Sequence, residues 1–300
     1  MLDRLGTFAK FNSTQNFVNK IQQRTYDLQT QISSGKKSQT YTGIYQDASR
    51  LVGLQATSAR TDQYMTTITQ TSTRMNTMET QMNSMLDNAI SFKTALITGL
   101  NNGNANFSAL GQQADQLLKQ TVNILNTKDG DSYIFAGTRT TTAPVDLTKF
   151  VNAPTILTPD TDYYQGDNNV LTAKIDTGFN VDYGLKASDS TFEKYIRGLR
   201  IVQANPADPA KLRDGMSLID AAIAGLNQNI SVVGAQSKTL DDVKNRHTDN
   251  KTVLATTISA IEDTDVLQAT SQLSSQETLL NAAYSTIGRI GRMSLVQYLN

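Results

Sequence analysis

From Phe11 onward, apolar residues recur at Phe11, Val18, Ile21, Leu28 and Ile32, spaced by threes, fours and sevens until Gly35 interrupts them in "SSGKK". So narrow a stripe predicts a helix packed along a coiled-coil-like seam, since a helix on a globular core carries a broader apolar face. The segment "TGIYQDASRL" reads as a loop and the start of a second helix. Along that helix Met75, Met82, Ala89 and Leu96 mark one heptad position, and Met78, Met85 and Phe92 its companion. Methionine is unbranched and fills irregular gaps, so this row predicts adaptable core packing and not a ligand box. "TGLNNGNAN" ends the helix, and Phe107, Leu110, Leu117, Thr121 and Ile124 restart the period up to Asp129.

Between about 131 and 205 the pattern changes. "YIFAG", "TILTPDTDYYQGDNN" and "VLTAKIDTGFNVDYG" alternate apolar and polar residues between turn signals, which predicts a small antiparallel β subdomain or a set of hairpins. After "NPADP" the helical period returns. Ile219, Leu226, Val233, Leu240, His247, Leu254 and Ile261 lie seven apart, with Ala222, Ile230, Val243 and Ile258 in companion positions. A last helix follows "EDTD", with Val266, Leu273, Leu280, Tyr284 and Ile287 on one side, and ends in "GRMSLVQYLN", where Leu295 and Leu299 fall.

Long helices at both ends satisfy one another when the chain folds back. The expected fold is mainly α: a long antiparallel coiled-coil-like helical rod of paired N- and C-terminal segments, with a small antiparallel β subdomain inserted in the middle. The expected parts are 1–46, a terminal helix; 47–130, half of the rod; 131–210, the β-rich part; 211–264, the other half of the rod; and 265–300, a second terminal helix.

Composition narrows the function. With 38% hydrophobic and 7% aromatic residues and no Trp, the chain has material for thin seams and little for one round core. The 27 basic and 27 acidic residues cancel, so no overall field favours nucleic acid or an anionic membrane. Charge is uneven, however, and residues 266–300 hold only Glu277, Arg289 and Arg292. A helical tail so poor in charge is expected to bury itself against a partner. No segment approaches the length of a membrane span, and "MLDRLGTFAKFNSTQNF" lacks the apolar core of a cleaved signal peptide, so export without such a signal is expected.

Candidate chemistry is sparse. Absence of Cys excludes disulfides and thiol nucleophiles. His247, the single histidine, sits on the heptad seam, where packing explains it better than a triad with Asp242 or Asp249. Asp160, Asp162 and Asp167 suggest a calcium loop, but the glycine falls one place late and no closing Glu follows, so a turn is expected. The expectation is of no catalytic residue, no cofactor and no metal site.

"LQTQISSGKK" (Leu28–Lys37) followed by "DASRLVGLQ" (Asp47–Gln55) resembles the N-terminal signature of the bacterial flagellin superfamily. "SYIFAGTRTTTAPV", "YYQGDNN" and the closing "SLVQYLN" are similar to motifs of the branch formed by the hook–filament junction proteins, known as hook-associated protein three. The resemblance implies a structural subunit of the flagellum, serving motility and exported through the flagellar type III apparatus to the outside of the cell. It implies an inner tube of terminal helices, held by Phe11, Val18, Ile21, Leu28, Ile32, Val266, Leu273, Leu280, Tyr284, Ile287, Leu295 and Leu299. The rod around that tube is held by the seam of Met75, Met78, Met82, Met85, Phe92, Leu226, Val233, Leu240, Leu254 and Ile261. Partners implied are further copies of the chain, a hook-side adaptor protein, flagellin and an export chaperone, with neither nucleic acid nor membrane insertion. Two alternatives stay open: the filament flagellin itself, and a type III needle-tip or cell-surface adhesin protein. Aspartate at Leu273 or Leu280 is expected to block assembly and spare the monomer.

Overall fold

A computed structural model describes the backbone of residues 2–101 and 107–296, with side chains at residue 9 and at residues 11–101 and 107–289. The chain forms two compact units, one of Met1–Ala59 with Asn250–Asn300, the other of Arg60–Asp249.

In the first unit, α1 (Leu2–Ser34) and α6 (Val266–Val296) run antiparallel. Lys36 bridges Asp263 at one end of the pair, and further along Gln22 Nε2 donates to the Tyr284 hydroxyl at 2.7 Å. Among the covered positions of α1 are Thr14, Val18, Ile21, Thr25, Leu28 and Ile32; those of α6 are Ala269, Leu273, Gln276, Leu280, Ala283 and Ile287. Both rows alternate steps of three and four, the spacing of a two-helix seam. Small Ala269 and Ala283 and the polar Thr25 keep this seam thin.

The second unit is built on the antiparallel pair formed by α2 (Ala48–Asn101) from Arg60 onward and α5 (Pro209–Glu262) up to Asp249. Lys93 of α2 pairs with Asp220 of α5, and Tyr64 near the start of α2 stacks on His247 late in α5, with ring centroids 5.7 Å apart. Along α2 the buried row begins before the methionines and runs Thr61, Tyr64, Ile68, Thr71, Met75, Met78, Met82, Met85, Ala89, Phe92, Leu96. Every step is three or four residues. Full burial of a Met, Leu or Phe side chain contributes about 1.5–3 kcal/mol against exposure, so each of these seam positions adds to this unit's cohesion.

The outer face of α2 is rich in threonine, a poor helix former. There Thr66, Thr69, Thr73, Thr77, Thr94 and Thr98 each donate the hydroxyl to the carbonyl four residues back. These bonds satisfy the hydroxyls within the helix, although back-bonding of this kind slightly destabilises a helix and tends to bend it.

α3 (Phe107–Leu125) and α4 (Ser190–Ala204) complete the helical part of this unit. α4 corrects the sequence reading, which expected only strands and turns between 131 and 205. Asp189 caps it by accepting from Thr191 N, and ten of its fifteen residues are buried. Gly198 faces α5 so closely that an added Cβ would lie 2.9 Å from the Gly215 carbonyl. The strands form two separate antiparallel hairpins: β1 (Lys128–Asp129) with β2 (Ser132–Tyr133), and β3 (Leu171–Asp176) with β4 (Phe179–Tyr183). In the second hairpin Ala173, Ile175 and Val181 turn inward, and their polar neighbours face out.

Candidate assembly surface

The twelve terminal-helix residues expected to act in assembly divide into three groups. Val18, Ile21 and Leu28 are buried against α6, and Ile32, Leu273, Leu280 and Ile287 are half-buried on the same seam. Phe11, Val266 and Tyr284 are exposed. The side chain of Leu295 and the whole of Leu299 lie outside the described residues. α1–α6 pairing therefore covers the seam from Val18 to Ile32 and from Ala269 to Ile287, and leaves other apolar side chains open. Leu267 is 85% exposed, and Phe17, Tyr26 and Leu279 are also exposed. Sequence reasoning missed these four because they fall off the heptad. Once the seam is placed at 269, 273, 276, 280, 283 and 287, however, Leu267 and Leu279 stand out as leucines off it, beside the exposed Val266 and Tyr284. The charged residues of α6 are Glu277, Arg289 and Arg292.

The "SSGKK" corner closes this unit. Gly35 has φ +71°, the left-handed conformation that ends a helix and that a side chain resists. Its carbonyl accepts from Thr264 N, and Lys37 N donates to the Glu262 carbonyl at 2.7 Å. Lys37 Nζ donates to the carbonyls of Ala260 and Ile261, placing a cation at the C-terminus of α5, where the helix dipole favours one. The Glu262 carboxylate takes Lys36 Nζ on one oxygen and Gln55 Nε2 on the other. The motif thus has a mechanical meaning, because it fastens the end of α1 to the turn between α5 and α6.

Of the seam residues expected in the rod, Met75, Met78, Met82, Met85, Phe92, Leu226, Val233 and Leu240 are fully buried in the second unit. Ile261 is buried and Leu254 half-buried in the first. His247 is buried, and its Nε2 lies 2.8 Å from the Ile175 carbonyl, which makes it a packed contact to the tip of the β3–β4 hairpin. Beside it Arg246 pairs with Asp176.

"FAGT" and "YQGD" prove to be one interlocked loop pair. Asp167 N donates to the Ala136 carbonyl, and the Asp167 carboxylate accepts from Thr138 N at 2.9 Å and from the Thr138 hydroxyl. Gly137 has φ +67°, and a Cβ there would strike Asp167, while one on Gly166 would strike Tyr164 and Ala136. Both glycines are required by close approach. Asp160 and Asp162 stand apart from Asp167: Asp160 pairs with Arg200 and its carboxylate also accepts from Asp162 N.

The hydroxyl and then the amide of Thr138 hold the Asp167 carboxyl below the usual carboxylate range. A depressed folded pKa means that the stabilisation is present above the unfolded value of about 4 and is lost as pH falls through the folded value. Amide exchange at Thr138, corrected for intrinsic rate, is expected to stay flat from about pH 7 to 5 and to rise below about pH 4. In Asp167→Asn that acid-induced rise should vanish, and its persistence would place the acid sensitivity elsewhere.

Long paired helices with two small hairpins set in the middle of the chain define this fold class, and solved proteins share it. A flagellar hook-associated protein from Vibrio parahaemolyticus is 18% identical, with a TM-score of 0.62 over 72% of this chain and 97% of that one. FlgL of Bacillus cereus is 20% identical, with a TM-score of 0.58 over 69% of this chain and 99% of that one. Flagellar hook-associated protein 3 of Legionella pneumophila is 12% identical, with a TM-score of 0.56 over 69% and 98%. At these identities the likeness establishes the fold. At the level of sequence, residues 216–299 match the family model of the bacterial flagellin C-terminal helical region. No curated protein sequence matches the chain.

Proposed function

We propose that the chain is a structural subunit of the bacterial flagellum that assembles through α1 and α6 and joins hook to filament. The observation that carries this reading is the C-terminal helix itself. α6 lies within the segment similar to the flagellin C-terminal region, yet its pairing with α1 leaves Leu267 and Leu279 in water. Exposed leucines on a helix so poor in charge suit burial against further copies and neighbouring flagellar subunits. The hook-side adaptor and flagellin are the neighbours proposed, together with an export chaperone that covers the same leucines beforehand. The proposed role is structural and not catalytic, and the proposed location is the flagellum outside the cell.

The two hairpins and the interlocked loops make the branch testable. Isolated flagella are labelled with an antibody raised against residues 131–205 and viewed by electron microscopy. A single band where hook meets filament is the expected result. Label along the whole filament would make the chain a flagellin, and label confined to other structures would overturn the flagellar reading.

A further inference from the structure

Within the second unit, α2 and both hairpins enclose a cleft of about 470 Å³. That is large enough for a small ligand, but where ligand pockets are ordinarily apolar this one is walled by hydroxyls, an amide and charges. Its floor is Arg74, 8% exposed. Arg74 Nη2 donates to the carbonyls of Tyr133 at 2.9 Å and Ile134 at 3.2 Å, which fixes the guanidinium plane. The Nε of Arg74 is buried and has no hydrogen-bond partner among the described residues.

A purely structural arginine is built differently in this same unit. Arg197 also pins two carbonyls, those of Thr155 and Ile156, but its Nη2 donates to the Glu193 carboxylate, which neutralises it. Arg74 has no such carboxylate: among the described residues no ion pair within 4 Å reaches it. Burial lowers its pKa, Tyr183 and then Asp129 acting in the opposite sense. A guanidinium nonetheless stays charged at neutral pH. The charged residues lining the cleft are Arg74, Lys174 and Asp129, which leaves one positive charge uncompensated. Around them stand the hydroxyls of Thr67, Thr71 and Tyr183 and the amide of Gln70.

We infer that this cleft is a binding site for a small hydroxylated carboxylate of the sugar-acid class, its carboxylate drawn by the excess positive charge that Arg74 and Lys174 hold over Asp129. A monoanion balances the one excess charge. A phosphate monoester, closer to two negative charges at neutral pH, overshoots it beside Asp129. The hydroxyl and amide lining matches a polyol, which both donates and accepts hydrogen bonds. The site is independent of the proposed assembly role, because every residue in it belongs to the second unit.

The test follows the Arg74 Nε–H resonance of the soluble full-length chain by NMR during titration with sodium glucuronate, with glucose, acetate and inorganic phosphate as parallel probes. Glucuronate is expected to shift that resonance saturably in the millimolar range, with acetate and phosphate weaker and glucose silent. Lys174→Glu, an exposed change that should leave the fold intact, is expected to weaken glucuronate binding about fivefold to tenfold, since an exposed charge partner becomes a repulsive one. Arg74→Gln should abolish binding, and its far-UV circular dichroism separates lost binding from lost folding. No saturable shift, an equal response to glucose, tighter binding of phosphate or an unchanged affinity in Lys174→Glu would each overturn the assignment.

Discussion

Leu240→Asp is expected to unfold the second unit. Leu240 is fully buried on α5, on the seam facing the methionines of α2. Truncating a buried leucine alone costs about 2–5 kcal/mol. Placing a carboxylate there adds the penalty of an unpaired buried charge, several kcal/mol more unless the group takes up a proton. The sum rivals the whole stability of an ordinary domain, about 5–15 kcal/mol. Far-UV circular dichroism should show a large loss of helix at 25 °C, and Met82→Asp should behave alike. Val232→Asp serves as control, because Val232 is the exposed neighbour of the seam residue Val233 and its change should lie within about 0.5 kcal/mol. A Leu240→Asp protein that melted like the parent would refute the α2–α5 seam.

Leu267→Asp and Leu279→Asp are expected to do the opposite: to leave the soluble chain folded and to abolish its incorporation into flagella. At 85% and 45% exposure these side chains lose little packing in the monomer, so the melting temperature should move by no more than a degree or two. Any cost falls on the assembled state, where a carboxylate buried without a partner is prohibitive. The structure moves this test away from the residues that sequence suggested for it. Leu273 and Leu280 are half-buried on the α1–α6 seam, so a charge there would disturb the pairing of the two helices as well as any contact between copies. Incorporation is scored by complementing a strain lacking the chain and recovering sheared flagella. Normal incorporation of both variants would remove α6's outer face from the proposed interface.

The long seams were legible from sequence because a heptad repeated many times leaves a signal that no local irregularity erases. Met75 to Leu96 and Ile219 to Leu240 were read position by position, and the buried row on α2 extends the same period back to Thr61. Legibility faded where polar or small residues hold seam positions. Thr25, Ala269 and Ala283 are covered, yet carry too little hydrophobic signal to be chosen over Val266 and Tyr284, which lie exposed on the flank. α4 was missed for a related reason. Phe192, Ile196 and Leu199 have helical spacing, but Glu193 and Arg197, buried as a pair, put charges on the inward face and blur it. The interlock of "FAGT" with "YQGD" had no periodic signal at all, since it rests on two glycines and one aspartate brought together across nearly thirty residues. The cleft at Arg74 was invisible for the same reason: one arginine on a heptad-bearing helix reads as surface until two carbonyls from another element are found to cover it.

The methionine seam carries a chemical consequence as well as a mechanical one. Thioethers are oxidised readily to sulfoxides, which are polar and spoil apolar packing. Met75, Met78, Met82 and Met85 present no surface to solvent, so a peroxide reaches their sulfur atoms only when the elements packed on α2 part from it. A closed seam therefore shields its own soft atoms. The first oxidised methionine, by holding the helices apart, would expose the next, so that damage along this row spreads from one site to its neighbours.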